Sequence, residues 1–222
     1  MELLPFEREF VELLARHEAV LFGDFTLKSG RKSPYFVNAG RLRTGAGIAG
    51  LGRAYAERIR AAGLPCDLVF GPAYKGVPLA VATAIALAAA GSDVPYAFDR
   101  KEAKDHGEGG VFVGETPTGG MRVVVVDDVI TSGLSIRGAV ELLRTAGGAA
   151  VSGVVVAVDR QERGRSGKPA LVELRDELGV PVLPIVTIEQ VVEHLAGHDG
   201  PGRSRLAASR RDDVLRHVRV ES

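Results

Sequence analysis

The stretch VVVVDDVITSGLS, which runs from Val123 to Ser135, decides the fold class of this chain. Its first part is an aliphatic run without polar alternation, which is typical of a strand buried on both faces of a parallel sheet. Its second part is a turn of hydroxyl residues and glycine that leads into a helix. In open α/β sheets, ligands bind beyond the carboxyl ends of the strands, where helix N-termini bind anions. The stretch therefore predicts a buried strand followed by an anion-binding turn.

Two adjacent carboxylates, Asp127 and Asp128, end that strand. Carboxylates repel phosphate, but they accept hydrogen bonds from the vicinal hydroxyls of a ribose and help to hold a hydrated Mg²⁺. The alternative is that the pair only ends a strand and caps a helix, as Asp often does. These residues alone favour neither interpretation over the other.

Short aliphatic runs alternate with helical patterns on both sides of this stretch. Strands are predicted at 67–70, 94–98, 123–126, 151–158 and 182–186, and helices at 50–62, 77–90, 135–146 and 169–178. An amphipathic helix after Pro5, two short strands around a basic turn at 28–34, and a charged helix at 207–218 complete the prediction. Strands separated by helices of this length indicate an α/β fold, with a parallel sheet covered on both faces.

The composition excludes several classes of protein. The chain has 222 residues, of which 45% are hydrophobic and 25% charged, as in globular domains. Its 28 basic and 28 acidic residues balance, so no net charge attracts nucleic acid or an anionic membrane. One cysteine cannot form an internal disulfide, and no signal peptide or membrane span is recognisable. We expect a cytoplasmic protein with no nucleic-acid or membrane partner.

Two glycine-containing segments need separate interpretation. Residues 100–120 are charged and Gly-rich, and we expect a loop there that closes over a ligand. The segment GAGIAG at 45–50 matches the dinucleotide-binding fingerprint. That fingerprint should directly follow a buried strand and precede, by about 20 positions, an acidic residue at the end of the next strand. Because both features are missing, we reject a dinucleotide site.

The Asp-Asp stretch resembles the ribose-phosphate loop of type I phosphoribosyltransferases, and four further motifs resemble the orotate phosphoribosyltransferase family more narrowly. These motifs are FTLKSGRKSPYF at 25–36, GPAYKG at 71–76, RKEAKDHGEGG at 100–110 and DRQERGR at 159–165. The resemblance covers roughly residues 6–193 in the same order. It implies a type I phosphoribosyltransferase-like α/β fold, in which a parallel sheet flanked by helices carries a small N-terminal hood and a flexible catalytic loop. The domain would comprise 1–196, with the hood from about 1–42, followed by a Gly/Arg-rich linker and C-terminal helix at 197–222.

The resemblance also implies an activity and its partners. The family transfers the ribose 5-phosphate group from 5-phosphoribosyl 1-pyrophosphate to orotate, giving orotidine 5′-monophosphate and pyrophosphate in pyrimidine (UMP) biosynthesis. Mg²⁺ is the implied cofactor, held mainly through substrate and water, with Asp127 or Asp128 as the candidate protein ligand. The implied assembly is a homodimer with shared active sites.

Matching the motifs residue by residue assigns roles within this sequence. The implied catalytic residues are Lys101, Lys104, His106, Asp127 and Asp128. The implied ligands of 5-phosphoribosyl 1-pyrophosphate are Lys28, Tyr74, Lys75, Arg100, Lys101, Lys104, His106, Asp127, Asp128, Val129, Ile130, Thr131, Ser132, Gly133, Leu134 and Ser135. The implied orotate site contains Phe36, Val37, Thr131 and Arg160, with the guanidinium paired to the substrate carboxylate. Val37 and Leu134 depart from the family, which often has an aromatic residue and Thr there.

The residue chemistry agrees with this assignment. Loss of pyrophosphate builds negative charge on the leaving group, and positioned cations stabilise such a transition state. Four of the six lysines, Lys28, Lys75, Lys101 and Lys104, have assigned roles in the matched motifs of a chain that otherwise prefers arginine. Two alternatives remain: a ligand-sensing regulator on the same fold, or an enzyme that acts on a purine or uracil.

Overall fold

The computed structural model describes residues 2–27, 30–104, 110–130, 133–164, 166–197 and 208–221. The strands are β1 Val20–Thr26, β2 Lys32–Val37, β3 Leu68–Phe70, β4 Tyr96–Lys104, β5 Gly110–Gly114, β6 Arg122–Val129, β7 Ala150–Asp159 and β8 Val182–Thr187. The helices are α1 Pro5–Arg16, α2 Gly45–Ala61, α3 Gly76–Ala89, α4 Leu134–Thr145, α5 Ala170–Leu178, α6 Ile188–Gly197 and α7 Ala208–Glu221.

A six-stranded sheet forms the centre of the molecule, with strand order β5-β4-β3-β6-β7-β8. The five strands from β4 to β8 along this order run parallel, and β5 pairs antiparallel with β4 at one edge. The aliphatic run Val123 to Val126 lies in β6 and is fully buried. The predicted α/β fold with a central parallel sheet is therefore confirmed.

Helices cover both faces of this sheet, as a non-alternating aliphatic strand requires. Val124 and Val126 belong to a core shared with α1, α2, α3, α6 and α7. Val123 and Val125 point into a second core, which contains Ile136 and other apolar residues of α4 and α5. Because successive side chains of a strand point to opposite faces, one run of valines serves both cores.

The strands β1 and β2 form a separate antiparallel sheet, in which Val20 pairs with Val37. The C-terminal helix α7 packs against it: Arg210 forms an ion pair with Asp24 at 2.8 Å, and Val214 is fully buried. This helix begins within one residue of its predicted start. The linker predicted before it lies, apart from Gly197, outside the described residues.

Some boundaries differ from the sequence predictions. Residues 100–104, expected to lie in a loop, continue β4, and residues 110–114 form β5, so this segment is a β-hairpin around 105–109. The helix α6 was not predicted, although Ile188, Val191, Val192 and Leu195 have helical spacing and are buried. α2 begins five residues before its predicted start, because the Thr44 hydroxyl caps it by accepting from Gly47 N–H at 3.1 Å.

Two further expectations concern the glycine segment and membranes. The GAGIAG segment opens α2 three residues after a short 3-10 helix at Ala39–Arg41 and not after a buried strand, which agrees with our rejection of a dinucleotide site. Among the described residues, none of the helices combines the length and apolarity needed to cross a bilayer.

Candidate active site

A cavity of about 730 Å³ lies at the carboxyl end of the parallel strands. Parallel strands end at the same edge of a sheet, so the residues that follow β3, β6 and β7 meet there. Its walls also include the end of β2 and the start of α5. The cavity is lined by Leu27, Arg31, Phe36, Val37, Asn38, Lys75, Asp128, Val129, Ile130, Gly133, Arg137, Arg160, Glu162, Arg163, Gly164, Ala170, Glu173 and Leu174.

Two hydrogen bonds hold the carboxylate of Asp127, and a third holds its backbone carbonyl. Its Oδ2 accepts from the hydroxyl of Ser135 at 2.9 Å, and its Oδ1 accepts from the backbone N–H of Asp128 at 2.9 Å. The hydroxyl of Tyr55 on α2 donates to the Asp127 carbonyl at 2.6 Å. Burial raises the pKa of Asp127, and the Asp128 N–H hydrogen bond opposes that rise. Asp127 therefore ties the end of β6 to the first turn of α4.

The carboxylate of Asp128 points into the cavity and carries a counter-ion. Lys75 Nζ lies 2.5 Å from Asp128 Oδ2, and the backbone N–H of Val129 donates to Oδ1 at 2.9 Å. The lysine side chain is 69% exposed and the aspartate side chain 11% exposed. The predicted cation and the predicted acidic residue are thus in contact at the cavity wall, and the ammonium remains open to solvent.

The turn that carries Lys75 is fixed by close backbone packing. A Cβ atom on Gly71 would lie 2.0 Å from the carbonyl oxygen of Gly76, so only glycine fits at position 71. The backbone N–H of Ala73 donates to Asp99 Oδ1 on β4 at 2.6 Å. The neighbouring Tyr74 side chain is exposed and does not line the cavity.

The predicted phosphate turn is described only in part. Gly133 lines the cavity at the N-cap of α4 with φ of 67°, a left-handed conformation that favours glycine. Leu134 follows in the first turn of α4 with an exposed side chain. These two residues therefore place the N-terminus of α4 at the cavity, and the electrostatics of a helix N-terminus favour an anion. Thr131 and Ser132 lie outside the described residues.

The other side of the cavity is formed by β2 and by the residues after β7. Phe36 is partly exposed and packs on Phe25 with ring centroids 5.7 Å apart, while Val37 is buried beside it. Arg160 is only 7% exposed. Its carbonyl oxygen accepts from the Tyr35 hydroxyl at 2.6 Å, and its guanidinium lies 5.6 Å from the centre of the Tyr35 ring. The structure therefore brings together the aromatic residue and the arginine that the sequence assigned to a carboxylate-bearing base.

Two charged residues beside Arg160 were missed by the sequence assignment. Glu162 Oε1 lies 2.6 Å from Arg160 Nη2, and Arg31 Nη2 donates to Glu162 Oε2 at 3.4 Å. Both missed residues belong to motifs that were recognised, namely DRQERGR and FTLKSGRKSPYF. Their positions in those motifs were the available signal, but spacing alone does not show that Arg31 reaches Glu162 across 131 residues of sequence.

The remaining assigned residues lie away from this cavity or outside the described part of the chain. Arg100 is on β4, where its Nε donates to the Phe112 carbonyl at 3.5 Å. Lys101 and Lys104 are also on β4, but their side chains are not described. His106 and Lys28 lie outside the described residues. Within the described ranges, no group of three or more His, Cys, Asp or Glu side chains could hold a metal ion.

The fold and the cavity together define a class of enzyme. Residues 42–181 match the family model described as the phosphoribosyl transferase domain, which spans β3, the Lys75 turn, the Asp127–Asp128 pair and the residues after β7. The parallel sheet of this chain, covered by helices on both faces, and the acidic pair before the α4 N-terminus are therefore those of a phosphoribosyltransferase.

Comparison with individual proteins narrows the class. The orotate phosphoribosyltransferase of Methylococcus capsulatus is 49% identical over 208 residues, which cover 93% of this chain and 95% of that relative. The crystal structure of orotate phosphoribosyltransferase from Francisella tularensis superposes with a TM-score of 0.80 at 36% identity, covering 95% of this chain and 97% of that one. The Mycobacterium tuberculosis H37Rv enzyme in complex with 5-phospho-alpha-D-ribosyl 1-diphosphate gives a TM-score of 0.63 at 26% identity, covering 84% and 99%. The chain belongs to the orotate phosphoribosyltransferase family, whose members are pentosyltransferases.

Proposed function

We propose that this chain catalyses the Mg²⁺-dependent transfer of ribose 5-phosphate from 5-phosphoribosyl 1-pyrophosphate to orotate. The products are orotidine 5′-monophosphate and pyrophosphate, in the pathway to UMP. One observation carries this proposal: Lys75, Asp128 and Arg160 line the same cavity. The cavity therefore offers a cation and a carboxylate for a sugar diphosphate and a buried guanidinium for a carboxylate-bearing base.

The sugar donor is proposed to bind along the β6 end and the α4 N-terminus. The backbone N–H groups around Gly133 would hold the 5′-phosphate, and Asp127 and Asp128 would accept hydrogen bonds from the ribose hydroxyls. Lys75 would exchange its contact with Asp128 for an oxygen of the pyrophosphate. The other residues proposed to contact the donor are Lys28, Tyr74, Arg100, Val129, Ile130, Thr131, Ser132, Leu134 and Ser135.

The leaving pyrophosphate is proposed to meet further cations from the β4–β5 hairpin. Lys101 and Lys104 lie on β4, and His106 follows Lys104 by two positions in the sequence. Positive charge placed where negative charge develops stabilises the transition state. If these residues act on the leaving group, Lys101→Ala and Lys104→Ala will lower kcat much more than they raise the substrate Kd. Loss of affinity with unchanged kcat would contradict that role.

The base is proposed to bind at the opposite wall. Its ring would pack against Phe36 and Val37, and its carboxylate would pair with the Arg160 guanidinium, with Thr131 as an additional contact. Arginine presents a planar fork that matches a carboxylate, which a neutral base cannot satisfy. A base without this carboxylate would leave buried donors unpaired, and such a loss costs binding energy.

A bound Mg²⁺ is proposed to take most of its ligands from substrate oxygens and water. The described residues support this arrangement, because the acidic pair offers at most two carboxylates and Asp128 already contacts Lys75. Mg²⁺ commonly keeps several waters and binds through one or two carboxylates together with substrate phosphates. The metal would neutralise charge on the pyrophosphate, while Asp127 or Asp128 would orient it.

The functional unit is proposed to be a cytoplasmic homodimer with shared active sites. Its test is complementation between inactive variants: a mixture of Asp127→Ala and Lys104→Ala subunits should regain activity if Lys104 acts in the site of its partner. Each variant alone, taken through the same subunit-exchange procedure, is the control and should stay inactive. No recovery after subunit exchange would contradict shared sites.

The substrate itself is tested by comparing bases with one donor. Product formation from 5-phosphoribosyl 1-pyrophosphate in Mg²⁺ buffer should occur with orotate and be lower by at least a hundredfold with uracil, adenine and hypoxanthine. Faster turnover of a purine or of uracil would overturn the proposed acceptor. Donor binding without turnover of any of these bases would favour a ligand-sensing regulator.

A further inference from the structure

A buried acidic side chain shares the base-binding wall of the cavity with Arg160. Glu162 and Arg160 are each only 7% exposed, and both line the cavity. Arg160 Nη2 and Glu162 Oε1 are 2.6 Å apart. Burial of two opposite charges at this distance requires that their remaining hydrogen-bonding capacity be used.

The described residues do not provide hydrogen bonds to all the polar atoms of this ion pair. The donors Arg160 Nε and Arg160 Nη2 and the acceptor Glu162 Oε1 are all buried, and none of the three forms a hydrogen bond with a described residue. Arg160 Nη2 and Glu162 Oε1 face each other as an ion pair without a hydrogen bond between them. Buried polar atoms in folded proteins nearly always have partners, so this group of three atoms indicates a ligand.

Nε and Nη2, which form no hydrogen bond with the described residues, make up one edge of the guanidinium, and Nη2 faces Glu162 Oε1. Nε and Nη2 point in the same direction and together bind the two oxygens of a carboxylate. The other carboxylate oxygen of Glu162, Oε2, accepts a hydrogen bond from Arg31 Nη2 at 3.4 Å. The oxygen left for a ligand is therefore Oε1, immediately beside the fork.

Orotate has a donor at the matching place. Its carboxylate is attached to C6, and C6 is bonded to N1, which carries a hydrogen before the reaction and the ribose after it. A carboxylate bound to the Nε–Nη2 edge places the neighbouring N1–H within reach of an acceptor on that edge. We propose that Glu162 Oε1 accepts a hydrogen bond from N1–H of orotate while Arg160 binds the carboxylate. This inference rests on the proposed function.

Such a contact would distinguish the substrate from the product. Orotidine 5′-monophosphate keeps the C6 carboxylate but has no N1–H, so it retains the Arg160 contact and loses the Glu162 contact. Glu162 would thus position N1 of orotate before the bond between N1 and the ribose forms. Its hydrogen bond to N1 would be lost once N1 carries the ribose. Hydrogen bonds to charged groups are strong enough to change affinity by about tenfold or more.

The test compares the binding of orotate and orotidine 5′-monophosphate by calorimetry. Glu162→Gln keeps the side-chain volume but leaves a single oxygen, which the neighbouring guanidiniums occupy. We expect this variant to weaken orotate binding by at least tenfold and product binding by less than twofold. Arg160→Gln should weaken both ligands, since both carry the carboxylate. Glu141→Gln, at an exposed position of α4, is the matched control and should change neither.

Two outcomes would overturn the role of Glu162. Equal weakening of both ligands by Glu162→Gln would show that the residue only maintains the shape of the cavity. Unchanged orotate binding would show that Oε1 makes no substrate contact. Failure of the proposed function is distinguishable, because in that case the unmodified chain itself would bind neither ligand.

Discussion

His217 on α7 packs edge-on against Tyr35 on β2, with ring centroids 6.0 Å apart and an interplanar angle of 79°. The Tyr35 ring is fully buried, and its hydroxyl donates to the Arg160 carbonyl at 2.6 Å. One ring therefore joins the C-terminal helix, the small sheet and the residues after β7. The arginine proposed to bind the base is positioned in part by a helix that begins about fifty residues later in the chain.

Tyr35→Phe tests this connection. The variant removes the hydroxyl donor and leaves the Arg160 carbonyl buried without that partner, which should cost about 1–3 kcal/mol of unfolding free energy. Because Arg160 loses support, KM for orotate should rise more than KM for 5-phosphoribosyl 1-pyrophosphate. Urea unfolding and steady-state kinetics measure the two effects. Tyr96→Phe is the control, since Tyr96 is exposed, and an unchanged orotate KM in Tyr35→Phe would contradict the positioning role.

Lys75→Met tests the contact between Lys75 and Asp128. The substitution keeps an unbranched side chain but removes the charge, so the Kd of 5-phosphoribosyl 1-pyrophosphate should rise roughly tenfold while that of orotate stays nearly constant. Stability should change by less than about 1 kcal/mol, because the ammonium is mostly exposed. Lys168→Met removes another exposed, ion-paired lysine, with Asp176, and should alter neither Kd. Equal loss of affinity for both substrates would argue against a donor-specific role.

The ion pair between Asp67 and Arg122 predicts a dependence of stability on pH. Hydrogen bonds from the Arg122 side chain lower the pKa of Asp67 from the usual 3.8 to about 2. A carboxyl whose pKa falls on folding stabilises the native state above its unfolded pKa, and this contribution disappears as the pH drops through the folded pKa. Asp67→Asn should therefore destabilise the protein above pH of about 4, and the difference from the unmodified chain should shrink toward pH of about 2.

Urea unfolding at several pH values between these limits measures this difference. Asp93→Asn, at an exposed loop position, is the control and should show no such trend. A difference that grows as the pH falls would contradict the assigned direction of the Asp67 pKa.

Replacement of glycine by alanine is expected to change the free energy of unfolding in opposite directions at Gly52 and Gly138. A Cβ atom on Gly52 of α2 would lie 2.4 Å from the backbone oxygen of Ala82 on α3, so Gly52→Ala must separate two packed helices and should cost about 1–3 kcal/mol or more. Gly138 of α4 has open space around it, so Gly138→Ala should stabilise by about 0.5–1 kcal/mol through helix propensity. Thermal unfolding of both variants tests the pair. Destabilisation by Gly138→Ala would contradict the open surroundings of that residue.

The central sheet and the position of the acidic pair could be predicted because local sequence determines them. The β-branched run Val123 to Val126 is typical of a strand covered on both faces, and the residues after such a strand lie at its carboxyl edge. The contact between Lys75 and Asp128 follows from the same rule, since β3 and β6 are neighbours in the parallel sheet.

The features that could not be predicted depend on contacts between distant residues. The strand β5 has only five residues and pairs across a charged segment, so its local pattern looked like a loop. The helix α6 directly follows β8, and no Gly or Pro separates the two patterns. The sequence places Glu162 in a motif but does not show its contact with Arg31. That contact forms only when folding brings the start of β2 to the end of β7.

The pairing of Lys104 with Gly110 across the β4–β5 ladder fixes both ends of the intervening five residues to the sheet. For a segment anchored in this way, each doubling of length costs only about 0.6 kcal/mol of loop-closure free energy. Insertions and deletions between these anchors would leave the strand register intact. The strand register therefore sets no requirement on the length of this segment, and any such requirement comes from the residues that it carries, His106 among them.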